Sequence, residues 1–146
     1  MAAPEKIGPG SIFCIEDYDG VRDLLGTLME EDLKIPRERI VMIASRAEAE
    51  RLLTEAEQTG QTPALVLLNF NLAGESGYPI LDKIRKSKSP LLNCTPIIGM
   101  STDQTHKQVV LARGANVFLS KPFHRIEEVE DTISLLLGTQ DQAKAA

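Results

Sequence analysis

The sequence predicts an α/β domain in which five short parallel strands form one sheet with helices packed on both faces. Three observations lead there. Short apolar runs alternate along the chain with longer stretches of helical period, the order that builds βαβ units. The length, 146 residues, fits one domain. Hydrophobic residues make up 42% and charged residues 25%, the balance of an ordinary globular core and surface.

The first strand is expected at Ile12-Phe13-Cys14-Ile15. After it Val21, Leu24, Leu25, Leu28 and Met29 recur at the spacing of one helix face. Ile40-Val41-Met42-Ile43 is the second strand, and Ser45 can cap a helix lined by Ala49, Leu52, Leu53 and Ala56. Ala64 to Leu68 is the third and most apolar strand. Ile80, Leu81 and Ile84 mark the next helix, which begins near Pro79, where a missing N–H is harmless. Pro96 to Met100 makes the fourth strand. A weaker helix signal runs from about Asp103 to Arg113, with Gly114 as its C-terminal cap. Val117-Phe118-Leu119 is the fifth strand. Ile126, Val129, Ile133, Leu136 and Leu137 form a final amphipathic helix, expected to end at Gly138 before a polar tail. Right-handed crossovers leave few topologies for this order. The flavodoxin-like, doubly wound (βα)5 sheet with strand order 2-1-3-4-5 is the expected fold.

Composition excludes several functions. Sixteen basic and twenty-one acidic residues give a net charge of -5, and there is no Trp. Without clustered Lys or Arg the chain has no footprint for a phosphate backbone, so protein partners are expected rather than nucleic acid. The longest apolar run, Ala64 to Leu68, is far short of the ~20 residues of a membrane helix. Residues 1–10 carry no signal-peptide core, which makes a cytoplasmic address the default. Cys14 and Cys94 match no metal or disulfide spacing, and Cys14 is expected to be a small core side chain.

What ends each apolar run is more informative. Strand one stops at Glu16-Asp17, strand three at Asn69, strand four at Ser101-Thr102 and strand five at Lys121. In a parallel sheet all carboxyl ends share one edge, so these residues should meet beside the switch point between the first and third strands. Each alone reads as a cap or a turn. Together, two acids, an amide, a hydroxyl and an ammonium suit a divalent cation and an anion. Mg²⁺ needs only one or two carboxylates and a carbonyl, and lysine pairs with a phosphoryl group as a point charge.

On these residues the chain resembles the receiver domains of two-component response regulators, the CheY-like family. The segments that carry the likeness are Phe13 to Asp17, Leu67 to Leu72 followed by Gly77, Pro96 to Thr102, and Leu119 to Phe123. The resemblance implies a receiver domain over residues 11–138, an N-terminal extension over 1–10 and a flexible tail over 139–146. It implies that Glu16, Asp17 and the backbone carbonyl of Asn71 hold Mg²⁺. By the same likeness Ser101 and Phe118 are switch residues, Lys121 pairs with phosphate, and Lys121-Pro122 is cis. Signalling by protein contact, not enzymatic turnover, is the implied activity. A histidine kinase or a downstream signalling protein is the implied partner, and the surface of the fourth helix, fifth strand and fifth helix, with Lys107 and Phe118, the implied contact.

The departure is Asn69, which stands at the phosphoacceptor position. A carboxamide is a poor nucleophile toward phosphorus, so the chain is not phosphorylatable as it stands. The metal site loses a unit charge, worth ~4 kcal/mol at 4 Å and an effective dielectric of 20, so Mg²⁺ should bind weakly. Smaller departures are Thr102, which could narrow access to the pocket, and Ala73, expected to affect only the local turn. Two readings stay open: a pseudo-receiver working without phosphorylation, or an ordinary phosphorylatable regulator carrying an engineered Asp-to-Asn change. A flavodoxin-like enzyme or cofactor carrier is disfavoured, because Glu16 to Gly20 would repel a flavin phosphate. His106, His124 and the Glu127 to Asp131 run read as solvated surface. Only a short polar stretch follows Gly138, so the receiver is expected either to act stand-alone by docking onto a partner or to be an excised piece of a longer protein.

Overall fold

The computed structural model describes residues 10–145, so the expected N-terminal extension falls outside them except for Gly10. Elements follow in the order β1 (Ile12–Ile15), α1 (Asp19–Thr27), β2 (Ile40–Ile43), α2 (Arg46–Thr59), β3 (Leu65–Asn69), β4 (Asn71–Leu72), β5 (Glu75–Ser76), α3 (Tyr78–Arg85), α4 (Pro90–Asn93), β6 (Ile97–Ser101), α5 (His106–Ala112), β7 (Val117–Ser120) and α6 (Ile126–Ala145). Five strands form one parallel sheet in the order β2-β1-β3-β6-β7. This is the expected doubly wound arrangement, with β6 and β7 as the fourth and fifth main strands.

Alternation along the strands divides the core in two. Phe13, Ile15, Val41, Ile43, Val66 and Leu68 face a layer made by α2, α3 and α5. Ile12, Cys14, Ile40, Leu65 and Leu67 face α1 and α6 on the other side. All four residues of β1 and all five of β3 are buried, as central parallel strands must be. Each fully buried aliphatic side chain contributes about 1.5–3 kcal/mol relative to exposure, so this double layer dominates stability.

Local signals place the helices. Ser45 caps α2 by accepting the Glu48 N–H at 3.2 Å, and Gly60 closes it at φ 76°. At the end of α5, Gly114 takes φ 118°. Its N–H donates to Leu111 O and the Ala115 N–H to Val110 O, both at 3.1 Å, a Schellman closure.

Three expectations need correction, and two features are additional to them. The helix signal from Asp103 begins only at His106, because Asp103 to Thr105 form a turn. Leu24 is 40% exposed, since Leu25, Leu28 and Met29 take the centre of the buried stripe and leave it on the edge. Gly138 does not end α6, whose backbone stays helical to Ala145. A glycine inside a helix costs about 1 kcal/mol and need not break it, and the Gln, Ala and Lys that follow are good helix formers. The β4–β5 hairpin and the short α4, capped by Ser89, carry no strand or helix period and were not expected.

Candidate functional site

The carboxyl edge of the sheet gathers the polar strand ends. Asn69 is the last residue of β3 and lies opposite Met100 of β6. Its side-chain nitrogen donates to Glu16 Oε2 at 2.8 Å, to Asp17 Oδ1 at 3.1 Å and to the Asn71 carbonyl at 2.8 Å. Its Oδ1 accepts the Asn71 N–H at 3.3 Å. The amide can sit only this way round, because reversal would set its oxygen against two carboxylates. Three acceptors share two N–H groups, so the Asp17 contact is the long one.

Every carboxylate oxygen of the acidic pair has a protein donor. Glu16 Oε2 also accepts the Tyr18 N–H at 3.1 Å, and Glu16 Oε1 takes the Lys121 ammonium at 2.8 Å. Asp17 Oδ2 accepts the Ala73 N–H at 2.8 Å. Glu16 is fully buried and Lys121 nearly so. Arg22 donates to the Glu16 carbonyl at 2.9 Å and pairs with Asp19.

The Ala73 bond corrects the expectation that this residue matters only to its turn. Ala73 and Gly74 stand at φ 53° and 85°, the left-handed pair of a tight hairpin between β4 and β5. Proline has no N–H and cannot take that φ, so it could not hold Asp17 this way. Arg46 at the start of α2 ties the hairpin through Glu75 at 2.8 Å. Gly77 lets α3 start close to β3, since a Cβ there would meet the Asn69 carbonyl at 2.7 Å.

Ser101 ends β6 on the same edge, and its carbonyl accepts the Lys121 N–H at 2.9 Å. Its side chain does not join the Asn69 network. The hydroxyl lies 3.1 Å from His106 Nδ1 and accepts the Asp103 N–H at 3.0 Å. His106 is therefore half-buried and partnered, unlike the solvated histidine expected from its polar neighbours. His124 is exposed.

Phe118 stands apart from the polar cluster. It lies opposite Gly99, partly buried, and lines a groove of about 280 Å³ with Gln104, Lys107, Phe123, Arg125 and Glu128. The Lys121-Pro122 bond is cis. Cys14 is in the core, where burial first and the Glu16 charge second push its thiol up to about 12.

A five-stranded doubly wound sheet whose carboxyl edge joins an acid pair, an amide and a lysine defines a signalling receiver of the two-component type. The response regulator receiver domain family matches residues 12–133, and the chain belongs to that family. Its members are signalling domains rather than enzymes. No curated protein matches the sequence. Among solved structures, the receiver domain of a DNA-binding response regulator from Colwellia psychrerythraea is 24% identical, with TM-score 0.72, over 88% of this chain and 98% of that one. A response regulator from Chloroflexus aurantiacus is 23% identical, with TM-score 0.69, over 89% and 98%. The receiver domain of a sensor histidine kinase from Pseudomonas aeruginosa, with magnesium coordinated in its active-site cleft, is 21% identical, with TM-score 0.65, over 88% and 98%. At these identities the likeness shows the fold. No helix among the described residues is long and apolar enough to cross a membrane.

Proposed function

We propose that this chain is a pseudo-receiver: it signals by docking onto a protein partner, without phosphorylation at Asn69 and without depending on Mg²⁺. The observation that carries this is the Asn69 amide nitrogen, within 3.1 Å of Glu16, Asp17 and the Asn71 carbonyl. Those are the three groups that the family likeness assigns to the metal, and a hydrogen-bond donor now stands among them. The site does not fit a divalent cation as it stands, and no cluster of three His, Cys, Asp or Glu able to hold a metal occurs among the described residues. A cation would have to displace the amide and the bonds it makes to Glu16 Oε2, Asp17 Oδ1 and the Asn71 carbonyl, a hydrogen bond to a charged group being worth about 1.5–3 kcal/mol.

The partner is a histidine kinase or a downstream signalling protein in the cytoplasm, met through α5, β7 and α6. Supporting this face are the groove beside Phe118, its cationic Lys107 and Arg125, and the exposed Val109 and Leu111 on α5. The retained Lys121 and acid pair favour a second reading, a phosphorylatable regulator changed at position 69.

The test uses beryllofluoride with Mg²⁺, followed by backbone amide NMR. The chain should show no response, and Asn69→Asp should respond with shifts that reach β7. An adduct on the unaltered chain would refute the proposal.

A further inference from the structure

We infer that His106 couples the Ser101 hydroxyl to helix α5, so that protonation of its imidazole sets the direction of that hydrogen bond and the seating of α5. The inference goes beyond the proposed function, because the Ser101–His106 contact involves neither Asn69 nor a metal.

The geometry is a closed ring of three residues joining β6 to the first turn of α5. Ser101 Oγ lies 3.1 Å from His106 Nδ1 and accepts the Asp103 N–H at 3.0 Å. Asp103 Oδ2 lies 3.7 Å from His106 Nε2. Asp103 Oδ1 accepts the Thr105 N–H at 2.9 Å and its hydroxyl at 2.6 Å. These Thr105 bonds, chiefly, and the imidazole, in smaller part, hold the Asp103 carboxyl below the usual range. Thr105, the residue before α5, makes no side-chain cap of its own. The ring through His106 is thus the side-chain anchor of this helix start.

Ser101 is buried, whereas the His106 side chain is 33% exposed, so solvent protons reach the imidazole without unfolding. In the neutral ring with its proton on Nε2, Nδ1 accepts the Ser101 O–H. In the imidazolium both nitrogens carry a proton, taken from solvent. Nδ1–H then donates to Ser101 Oγ, which accepts two N–H groups and must turn its own proton off the ring. Nε2–H meanwhile gains the Asp103 carboxylate. One proton reverses donor and acceptor at the switch serine, and histidine is the side chain whose ordinary titration falls between pH 5 and 8.

The surroundings leave that proton to decide. Asp103 is the charged group that faces the ring from the β6–α5 loop. From α3, the Tyr78 ring lies T-shaped to the imidazole, their centroids 6.1 Å apart. Arg113, the residue just after α5, covers the Tyr78 ring at 4.6 Å and pairs with Asp82 of α3. Lys107 is the neighbouring cation on α5 itself, exposed to solvent. Lys121, after β7, is committed to Glu16.

The experiment is an NMR titration of the full chain from pH 5 to 8, following the His106 ring and the backbone amides of Ser101, Val109 and Val110. The amides of α5 should move with the midpoint of the ring. In Ser101→Ala the ring should still titrate while the α5 shifts shrink several-fold. His106→Gln, at a half-exposed position, keeps a hydrogen-bonding side chain but removes the proton, and should leave the α5 amides flat. Static α5 amides in the unaltered chain, an undiminished response in Ser101→Ala, or a persisting one in His106→Gln would each overturn the inference.

Discussion

The ammonium of Lys121 and the carboxylate of Glu16 meet at 2.8 Å across the sheet edge, Lys121 following β7 and Glu16 following β1. The pair spans the outermost strand and a central one and lies almost wholly out of solvent. It is held further by the Asn69 amide and the Tyr18 N–H on the other Glu16 oxygen.

Breaking that pair from one side should be severe. Lys121→Met leaves a buried carboxylate without its counter-ion, a change that costs about 3–5 kcal/mol. Lys121→Met combined with Glu16→Gln should recover much of the loss, because no bare charge remains. Urea unfolding of the two variants beside the unaltered chain measures both, and equal losses would show that charge burial is not the cause.

The hairpin predicts opposite outcomes at one position. Ala73→Pro removes the N–H that holds Asp17 and cannot adopt φ 53°. Stability should fall by about 1–3 kcal/mol, the cost of an unmade bond to a charged group. Ala73→Gly keeps the N–H and takes the left-handed conformation without steric strain, so it should lie within about 1 kcal/mol of the parent. Thermal melts of the two variants would discriminate them.

Thiol chemistry should separate the cysteines. Cys94 is exposed and Cys14 buried, with its thiol pushed up to about 12. A thiol reagent at pH 8 should label Cys94 quickly and Cys14 only after unfolding. The folded Cys14 pKa is raised, so the stability it contributes is complete below the ordinary thiol range, about 9, and is lost as pH rises toward 12. Denaturant midpoints between pH 8 and 11 should therefore fall in the parent more than in Cys14→Ala.

Much of this was legible in the sequence, for definite reasons. Runs such as Ile12 to Ile15 and Leu65 to Leu68 are apolar because both faces of a central parallel strand are covered, and the first polar residue marks where cover ends. Glu16, Asp17, Asn69 and Lys121 were legible as a cluster on that ground alone. Ala73 was not, because its contribution is a main-chain N–H at a left-handed φ, to which the alanine side chain gives no clue. His106 was hidden by its polar neighbours Gln104, Thr105 and Lys107. The spacing of Ser101, Asp103 and His106 within one loop and turn was the available signal. Gly138 misled because helix-stop rules weigh one glycine above the helix formers after it.

The strand order also bears on how the chain is made. Ile12 of β1 pairs with Ile40 on one side and Leu65 on the other, so the first of the sheet's five strands to be made sits near the middle of the finished sheet. Until Leu65 to Asn69 emerge, its inner edge has no partner strand, and its faces still lack the cover of α3, α5 and α6. Nascent chains halted before that point should therefore be prone to clump or to recruit chaperones, a hazard of folds whose central pairings are distant along the chain.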